Sequence, residues 1–182
     1  TENDSINILD NEYVYNGGGV GIADFNNDGL SDIYFSGNMV SNKLYLNKGN
    51  FEFEDITDKA KVAGSADWCT GVTMADVNGD GYLDIYVSTV SGKYGLTGHN
   101  ELFINNKNNI FTESAAAYGL NTSCFTTQTA FFDYDLDGDL DCYMLNQSDH
   151  PHANIIDTVN RNRYDSLSGD RLYRNDGAVV SL

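Results

Sequence analysis

Short apolar runs alternate with clusters of Gly, Asn and Asp along the whole chain. The runs are four to six residues long and rich in Val, Ile, Tyr and Phe, as in GVGIAD, DIYFSG and NKLYLN. Short runs of these residue types, bounded by turn-forming clusters, are typical of β-strands. Short helical turns are predicted in ITDKAKV and in SAAAYGL, where Gly119 ends the pattern. The pattern predicts an all-β protein.

The strand pattern occurs three times. In each repeat a first run ends in Asp (GVGIAD, GVTMAD, QTAFFD), a second follows an acidic loop (DIYFSG, DIYVST, DCYMLN) and a third comes later (NKLYLN, NELFIN, DRLYRN). A fourth short strand is predicted at Phe51 and Phe53, and at Ile110 and Phe111. Repeated four-stranded antiparallel units of this length are typical of β-propeller blades, because a β-solenoid coil is much shorter and a sandwich does not repeat itself.

The repeats set the predicted domain organisation. The 182 residues are enough for one domain with a real core. We predict a single β-propeller segment of three blades over residues 1–182, with repeats at approximately 13–62, 63–120 and 121–182.

An acidic nonapeptide joins the first and second strands of each repeat: DFNNDGLSD, DVNGDGYLD and DYDLDGDLD. An acid or amide stands at positions 1, 3 and 5, Gly at position 6 and Asp at position 9. Acids packed this densely repel one another unless a cation neutralises them. Calcium takes about six to eight oxygen ligands at flexible geometry, and the side chains at 1, 3, 5 and 9 with the carbonyl of position 7 supply such oxygens.

We therefore predict about three structural Ca²⁺ ions, one in each loop. The third loop carries the most negative charge, because the first two loops have Asn at position 3. It is expected to bind most tightly. The predicted ligands are Asp24, Asn26, Asp28, the Leu30 carbonyl and Asp32; Asp76, Asn78, Asp80, the Tyr82 carbonyl and Asp84; and Asp133, Asp135, Asp137, the Asp139 carbonyl and Asp141.

Other interpretations of the loops are less favoured. An EF-hand needs Glu at position 12, where Phe35, Val87 and Met144 stand within apolar strands. Magnesium demands near-ideal octahedral geometry, and zinc prefers the His and Cys ligands that these loops lack. A hairpin turn without metal stays an alternative for one such loop, but three loops in the same register count against it.

The charge of the chain limits its partners. Ten basic residues stand against 27 acidic ones, for a formal net charge of −17. Such a surface repels nucleic acid and anionic lipid and favours cations. No apolar run approaches the length of a membrane span. We expect no nucleic-acid partner and no membrane insertion.

The connection between the second and third strands varies in length. From position 9 of the acidic loop to the start of the third strand, it grows from 10 to 16 to 29 residues. In an up-and-down meander this connection lies at the end opposite the acidic loops. Insertions confined to one face often mark a binding face, so a protein or glycan ligand is expected there.

Two further groups of residues each have a ligand-binding interpretation and a non-functional one. His150 and His152 with Asp149 are candidate transition-metal ligands, but a polar loop is favoured because convincing further ligands are lacking. Arg161 and Arg163 are candidates to grip an acidic partner, against the plainer role of keeping the loop soluble.

The remaining candidates favour structural roles. Trp68 lies beside an apolar strand and is expected in the core. Cys142 replaces an Ile in register, which predicts a buried free thiol, while Cys69 and Cys124 are candidates for a disulfide between neighbouring blades. The sequence holds no Ser-His-Asp pattern, G-x-S-x-G, phosphate loop or HExxH, and His99 stands alone, so no enzymatic activity is predicted.

The segments GGGVGIADFNNDGLSDIYFSGN, CTGVTMADVNGDGYLDIYVST and TQTAFFDYDLDGDLDCYMLN resemble FG-GAP/VCBS repeats. Such repeats occur in integrin α-subunit propellers and in bacterial surface proteins similar to cartilage acidic protein. The resemblance covers about residues 13–177. It implies a seven-bladed β-propeller with Ca²⁺ between the first two strands of each blade and partners on the opposite face. Three units are too few to close that ring.

Together these observations predict an extracellular or cell-surface calcium-binding module for adhesion or for protein or glycan interaction, since such modules use abundant calcium. A self-assembling subunit of an extracellular fibre or surface scaffold is an alternative, because three open blades leave sheet faces uncovered. A fragment of a carbohydrate-active enzyme is a second alternative, since some polysaccharide lyases carry similar repeats.

Overall fold

The computed structural model describes residues 16–92, 95–147 and 166–177. Within these ranges the regular structure is β, apart from one helix of four residues. In chain order the elements are β1 (Val20–Ala23), β2 (Asp32–Phe35), β3 (Lys43–Asn47), β4 (Phe53–Asp55), α1 (Thr57–Ala60), β5 (Cys69–Ala75), β6 (Asp84–Thr89), β7 (Glu101–Asn105), β8 (Phe111–Glu113), β9 (Thr126–Phe132), β10 (Asp141–Asn146) and β11 (Arg171–Tyr173).

The strands form three antiparallel sheets, each an up-and-down meander. The first sheet has the order β1-β2-β3-β4, the second β5-β6-β7-β8 and the third β9-β10-β11. The predicted all-β class and the blade-like sheets are confirmed, and the described residues form an open arrangement rather than a closed ring. One sheet lies within each predicted repeat, while the exact repeat boundaries stay a prediction.

The short elements differ from the sequence prediction in detail. Strands β4 and β8 begin at Phe53 and Phe111, so Phe51 and Ile110 lie in the preceding turns. The first predicted helical turn is α1. The second is a single hydrogen-bonded turn, in which the N–H groups of Ala117 and Tyr118 donate to the Ser114 carbonyl, and it ends at Gly119. The third sheet has three strands among the described residues. No helix in the described part of the chain has the length and apolar character needed to cross a bilayer.

The pleat gives each sheet two faces with recurring residues. The forward face carries the Tyr of the second strand and its cross-strand Leu: Tyr34–Leu44, Tyr86–Leu102 and Tyr143–Leu172. The rear face carries the neighbouring pair: Ile33–Tyr45, Ile85–Phe103 and Cys142–Tyr173. The pairing register is therefore the same in all three sheets.

The core lies between the sheets. Forward-face residues Tyr34 and Leu44 share one buried cluster with rear-face residues Ile85 and Phe103 of the second sheet. Tyr86 on the forward face of the second sheet packs edge-on against Phe131 of the third, with ring centroids 5.5 Å apart. Each internal interface therefore joins a forward face to a rear face.

The first strands of the sheets lie close together, because small residues let their backbones approach. A side chain at Gly71 of β5 would place its Cβ 2.6 Å from the backbone carbonyl oxygen of Thr127 on β9. A side chain at Gly21 of β1 would meet Sδ of Met74 at 2.4 Å. At Gly71 the neighbouring backbone excludes a side chain, whereas at Gly21 the flexible end of Met74 would have to move.

A separate apolar cluster lies near the connections between second and third strands. It contains Trp68, Val90, Leu96 and Phe125, all nearly inaccessible to solvent. The prediction that Trp68 belongs to the core is confirmed. The longer connection of the second repeat is thus tied to the fold through Leu96.

All three cysteines are buried free thiols. The prediction for Cys142 is confirmed, whereas the disulfide between Cys69 and Cys124 is wrong. The Sγ atom of Cys69 faces the carbonyl of Ala66 at 3.9 Å, while that of Cys124 contacts Oγ1 of Thr126 at 3.1 Å. The thiols of Cys69 and Cys124 therefore have different surroundings. Burial raises the pKa of Cys69 and of Cys142 to about 12.

Candidate metal-binding loops

The three acidic loops join the first and second strands of their sheets, and the first two touch each other. The Asn27 side-chain amide in the first loop donates to the Gly81 carbonyl oxygen in the second at 3.1 Å. Position 6 has a left-handed backbone in every loop, with φ of 85° at Gly29, 86° at Gly81 and 98° at Gly138. This conformation explains the Gly at position 6 of each loop.

Position 4 is also left-handed, which the sequence motif did not reveal. The φ angles are 57° at Asn27, 70° at Gly79 and 64° at Leu136. Asn and Gly tolerate this conformation, but for Leu it costs about 1 kcal/mol or more. Leu136 is also 87 % exposed, so the third loop holds this backbone without burying its side chain.

Position 1 organises the turn through both of its carboxylate oxygens. In the first loop, Oδ1 of Asp24 accepts the Asp28 N–H at 3.0 Å and Oδ2 accepts the Gly29 N–H at 2.7 Å. Asp76 accepts the corresponding pair at 2.9 and 2.7 Å, and Asp133 accepts it at 3.1 and 3.1 Å. The backbone thus holds this carboxylate inside the loop.

Positions 3 and 5 differ between the loops. Oδ1 of Asn26 and of Asn78 accepts the N–H of position 5 at 3.1 and 3.0 Å. In the first loop the Asn26 amide also donates to Oδ2 of Asp28 at 2.9 Å. Asp135 in the third loop has no side-chain N–H and therefore cannot make this contact.

Position 9 is the most buried part of each loop. The exposed fraction is 0 % for Asp32, 1 % for Asp84 and 0 % for Asp141. Oδ2 of Asp84 accepts the Val77 N–H at 3.0 Å, and Oδ1 accepts the Asn105 N–H at 2.8 Å. Asp32 and Asp141 make the same pair of contacts in their own sheets. This carboxylate joins the loop to the end of the third strand.

Burial changes the protonation of these carboxyl groups. Desolvation raises the pKa of Asp84 to about 6, although two backbone N–H groups stabilise its charged form. Desolvation also raises the pKa of Asp32. A buried carboxylate near other carboxylates is a costly arrangement without a nearby cation.

An Asn ends β3 and β7, and its counterpart Asn175 lies two residues after β11. The sequence did not assign it a role. Its side chain bridges two segments: the Asn105 amide donates to the Leu83 carbonyl at 3.2 Å, and its Oδ1 accepts the Lys107 N–H at 2.9 Å. Asn47 and Asn175 make equivalent contacts. The recurring pattern N-x-L-[YF] closed by Asn was the sequence signal for this role.

The third loop brings three carboxylates into one group. Asp133, Asp135 and Asp141, at positions 1, 3 and 9, each offer an oxygen within 4.8 Å of the others. Partial desolvation raises the pKa of Asp135, and the charges of Asp137 and Asp141 raise it further. Asp137 lies outside the group of three. The fold therefore brings three of the predicted ligands of the third loop together.

The donor set fits a hard divalent cation. Each loop presents carboxylate or amide oxygens, and none presents His nitrogen or Cys sulfur. The position 7 residues Leu30, Tyr82 and Asp139 donate their N–H groups to position 5 of the same loop, at 2.9, 3.0 and 3.0 Å.

Protein cations contribute little neutralisation. Among the ion pairs of the described residues, a ligand position takes part only in the contact between Lys107 Nζ and Asp80 Oδ2, at 3.4 Å.

Some sequence candidates cannot be placed. His150, His152, Asp149, Arg161 and Arg163 lie outside the described residues. His99 is half-buried and lies next to the third strand of the second sheet.

Comparison with known sequences agrees with the recurring geometry. No curated protein matches the chain. The family described as FG-GAP-like repeat matches residues 13–87, which contain the first two acidic loops and the whole first sheet. The third sheet repeats the same loop contacts and the same register outside that match. Over residues 13–87 the chain is therefore similar to FG-GAP-like repeats.

Proposed function

We propose that this chain is a calcium-stabilised β-propeller module that binds one Ca²⁺ in each acidic loop. The observation that best supports the proposal is the group formed by Asp133, Asp135 and Asp141, whose oxygens lie within 4.8 Å of one another. Like charges at about 4 Å repel by about 1 kcal/mol in water and by about 4 kcal/mol at the effective dielectric near a protein surface. A divalent cation bound between these carboxylates replaces their mutual repulsion with attraction to the ion.

The proposed ion has a structural role. Position 9 holds the backbone of the third strand through Asn105 and the start of the loop through Val77, in the second sheet. Position 1 holds the turn itself. An ion shared by positions 1 and 9 therefore fixes the first, second and third strands of a blade relative to one another.

Binding of calcium is tested by titration calorimetry on the chelator-treated protein. We expect binding that corresponds to about three sites, with affinity in the range of extracellular modules, about 10⁻⁴–10⁻³ M, or tighter. The Asp133→Asn variant should lose the third site. Asp139→Asn is the matched control, because it removes the same charge from the same loop at a position whose predicted ligand is the backbone carbonyl.

Two outcomes decide the test. Loss of one site in Asp133→Asn, with all sites kept in Asp139→Asn, supports specific coordination. Absence of heat and of any thermal stabilisation at millimolar calcium contradicts the proposal. Magnesium at the same concentration distinguishes flexible oxygen coordination from general screening of the acidic surface, because magnesium screens charge equally well.

The proposed biological role is non-catalytic interaction outside the cell or at its surface, through adhesion or through binding of a protein or glycan. The connections between second and third strands support this proposal, since they vary in length while the acidic loops do not. Trp68, Leu96 and Phe125 give these connections a rigid apolar base. A stable base with variable loops is a common arrangement for recognition.

The role is tested by glycan binding and glycan cleavage assays in millimolar calcium. Binding without cleavage supports an interaction module. Cleavage of a glycan would instead favour the carbohydrate-active enzyme and would contradict the non-catalytic role.

A further inference from the structure

A single residue, Asn105 at the end of β7, joins the first two acidic loops. Its backbone N–H donates to Oδ1 of Asp84, position 9 of the second loop, at 2.8 Å. Its side-chain amide donates to the carbonyl of Phe25, position 2 of the first loop, at 2.8 Å. The Phe25 N–H in turn donates to Oδ2 of Asp32, position 9 of the first loop, at 3.0 Å. Buried hydrogen bonds therefore connect a predicted ligand of one loop to a predicted ligand of the other.

Phe25 is also fixed by packing against the second sheet. It is 1 % exposed, and its ring lies edge-on to that of Phe111 in β8, with centroids 6.0 Å apart. In the chain, Phe25 stands between Asp24 and Asn26, at positions 1 and 3 of the first loop. The backbone that carries two predicted ligands of the first loop is thus held by residues of the second sheet.

A second connection joins the turns of the same two loops. The Asn27 side-chain amide, at position 4 of the first loop, donates to the Gly81 carbonyl at 3.1 Å. The Gly81 N–H donates to Oδ2 of Asp76, position 1 of the second loop, at 2.7 Å. The first two loops are therefore connected both through position 9 and through their turns.

The second and third loops lack both connections among the residues that the structure describes. Asn175, the counterpart of Asn105, donates its side-chain amide to the Leu140 carbonyl of the third loop itself, at 3.5 Å. None of the hydrogen bonds of Asn175 reaches the second loop. Position 4 of the second loop is Gly79, which has no side chain to donate. The third loop is thus not tied to the second in the way that the second is tied to the first.

We propose that the first and second loops bind calcium cooperatively, whereas the third loop binds it independently. The inference rests on the proposed function, because it assumes an ion in each loop. A bound ion fixes its ligands, and Asp32 and Asp84 hold the groups that connect the first two loops. Occupation of one loop therefore orders the other in advance, which lowers the ordering cost of the next binding step. Asn105 and Asn27 act as positioning residues, since neither is a predicted ligand.

Charge acts in the opposite direction. Each of the first two loops carries three carboxylates, so an ion bound in one loop weakens the attraction of the other loop for the next ion. Salt screens this effect, because the Debye length is only about 3 Å at about 1 M. Titration at high salt therefore isolates the contribution of the connections through Asn105 and Asn27.

The proposal is tested by calcium titration of the chelator-treated, nitrogen-15-labelled chain at about 1 M salt. The amide signals of Gly29, Gly81 and Gly138, at position 6 of each loop, report the three loops separately. Gly29 and Gly81 should respond together with a Hill slope of about 1.4, which corresponds to about fivefold coupling. Gly138 should follow a single-site curve. Single-site curves for all three loops overturn the coupling alone, whereas absence of any response overturns the proposed function as well.

Loss of the ion from one loop tests the coupling directly. Asp76→Asn, at position 1 of the second loop, should weaken calcium binding reported by Gly29 about fivefold or more. Asp133→Asn is the matched control, because it makes the same change at the same position of the third loop, and it should leave the Gly29 titration unchanged. An unchanged first loop in Asp76→Asn, or equal weakening in both variants, overturns the proposal.

The connections themselves are tested by Asn27→Gly and Asn105→Ala. Gly keeps the left-handed backbone of position 4 and is the residue that the second loop has there, where φ is 70° at Gly79. Both variants retain every predicted ligand, so the first two loops should still bind calcium, but the Hill slope should fall towards about 1. A purely structural role would lower thermal stability and leave the slope unchanged. An unchanged slope in both variants overturns the proposal.

Discussion

The middle sheet and the first sheet have the same strand order and the same register, yet they differ in burial. Ile85 and Val87 of the middle sheet are fully buried, whereas Phe35 of the first sheet, the counterpart of Val87, is 40 % exposed. The third sheet differs in the same way on its opposite face. The comparison shows that the position of a blade in the stack, rather than its own pattern, decides how much its side chains stabilise the fold.

The largest expected effect comes from truncating the same Leu in the middle and third sheets. Leu102→Ala should lower the free energy of unfolding by about 2–5 kcal/mol, because a fully buried side chain leaves a cavity. Leu172→Ala should cost less than about 1 kcal/mol, since Leu172 is half exposed. Urea unfolding at a dilution where the chain is monomeric measures both. Equal losses would contradict the comparison.

Replacing the Asn at the end of the third strand by Ala should show a smaller difference in stability between the second and third sheets. Asn105 is 2 % exposed and donates to the carbonyls of Phe25 and Leu83, at 2.8 and 3.2 Å. Asn105→Ala should cost about 2 kcal/mol, because buried carbonyls lose their donor. Asn175, whose amide lies 3.5 Å from the Leu140 carbonyl, should cost about 1 kcal/mol or less when replaced by Ala. Thermal unfolding in saturating calcium compares them, and a larger loss at Asn175 would contradict the assignment.

The carboxyl group of Asp84 should make the calcium-free protein less stable as pH rises. Its pKa is about 6 in the folded chain, above the usual value of about 3.9 for an unfolded chain. Folding therefore favours the protonated form, and about 1–2 kcal/mol of stability is lost between pH about 4 and about 6. Carbon-13 titration of the Asp84 carboxyl in chelator checks the value. An inflection near pH 4 would contradict the effect of burial.

Exchanging position 3 between the second and third loops should change calcium affinity by about 1 kcal/mol, or about fivefold. Asp135→Asn should weaken the third site, and Asn78→Asp should strengthen the second. The extra carboxylate oxygen and its charge provide the attraction. Calorimetry on the two variants and on the double exchange measures this, and affinities that do not move in opposite directions would remove position 3 from the ligand set.

Replacing Lys107 by Ala should have the smallest effect, a slight gain in calcium affinity of the second loop. Its ammonium lies 3.4 Å from Oδ2 of Asp80 and 5.4 Å from the ring centroid of Tyr82. The contact is partly exposed, so Lys107→Ala should raise calcium affinity in the second loop by less than about 1 kcal/mol. The gain should disappear at high salt, because screening already weakens the competing charge. A gain that persists in about 1 M salt would indicate direct obstruction instead.

The sequence by itself determined the local structure of this protein. Repeated strand runs predicted the sheets, and the acidic nonapeptides predicted the loops, of which the third brings Asp133, Asp135 and Asp141 together. Both are local properties, since a strand needs alternating residues and a tight turn needs Gly at position 6. The sequence did not reveal the left-handed backbone at Leu136, because Leu has no preference for that conformation.

Tertiary structure alone decided which faces are covered. The separation of Cys69 from Cys124 and the burial of position 9 against the third strand depend on contacts between segments far apart in the chain. Ile33 and Ile85 have the same neighbours in sequence, but only Ile85 receives a second sheet over it. Apolar side chains specify that a face should be covered, and the arrangement of sheets in space specifies what covers it.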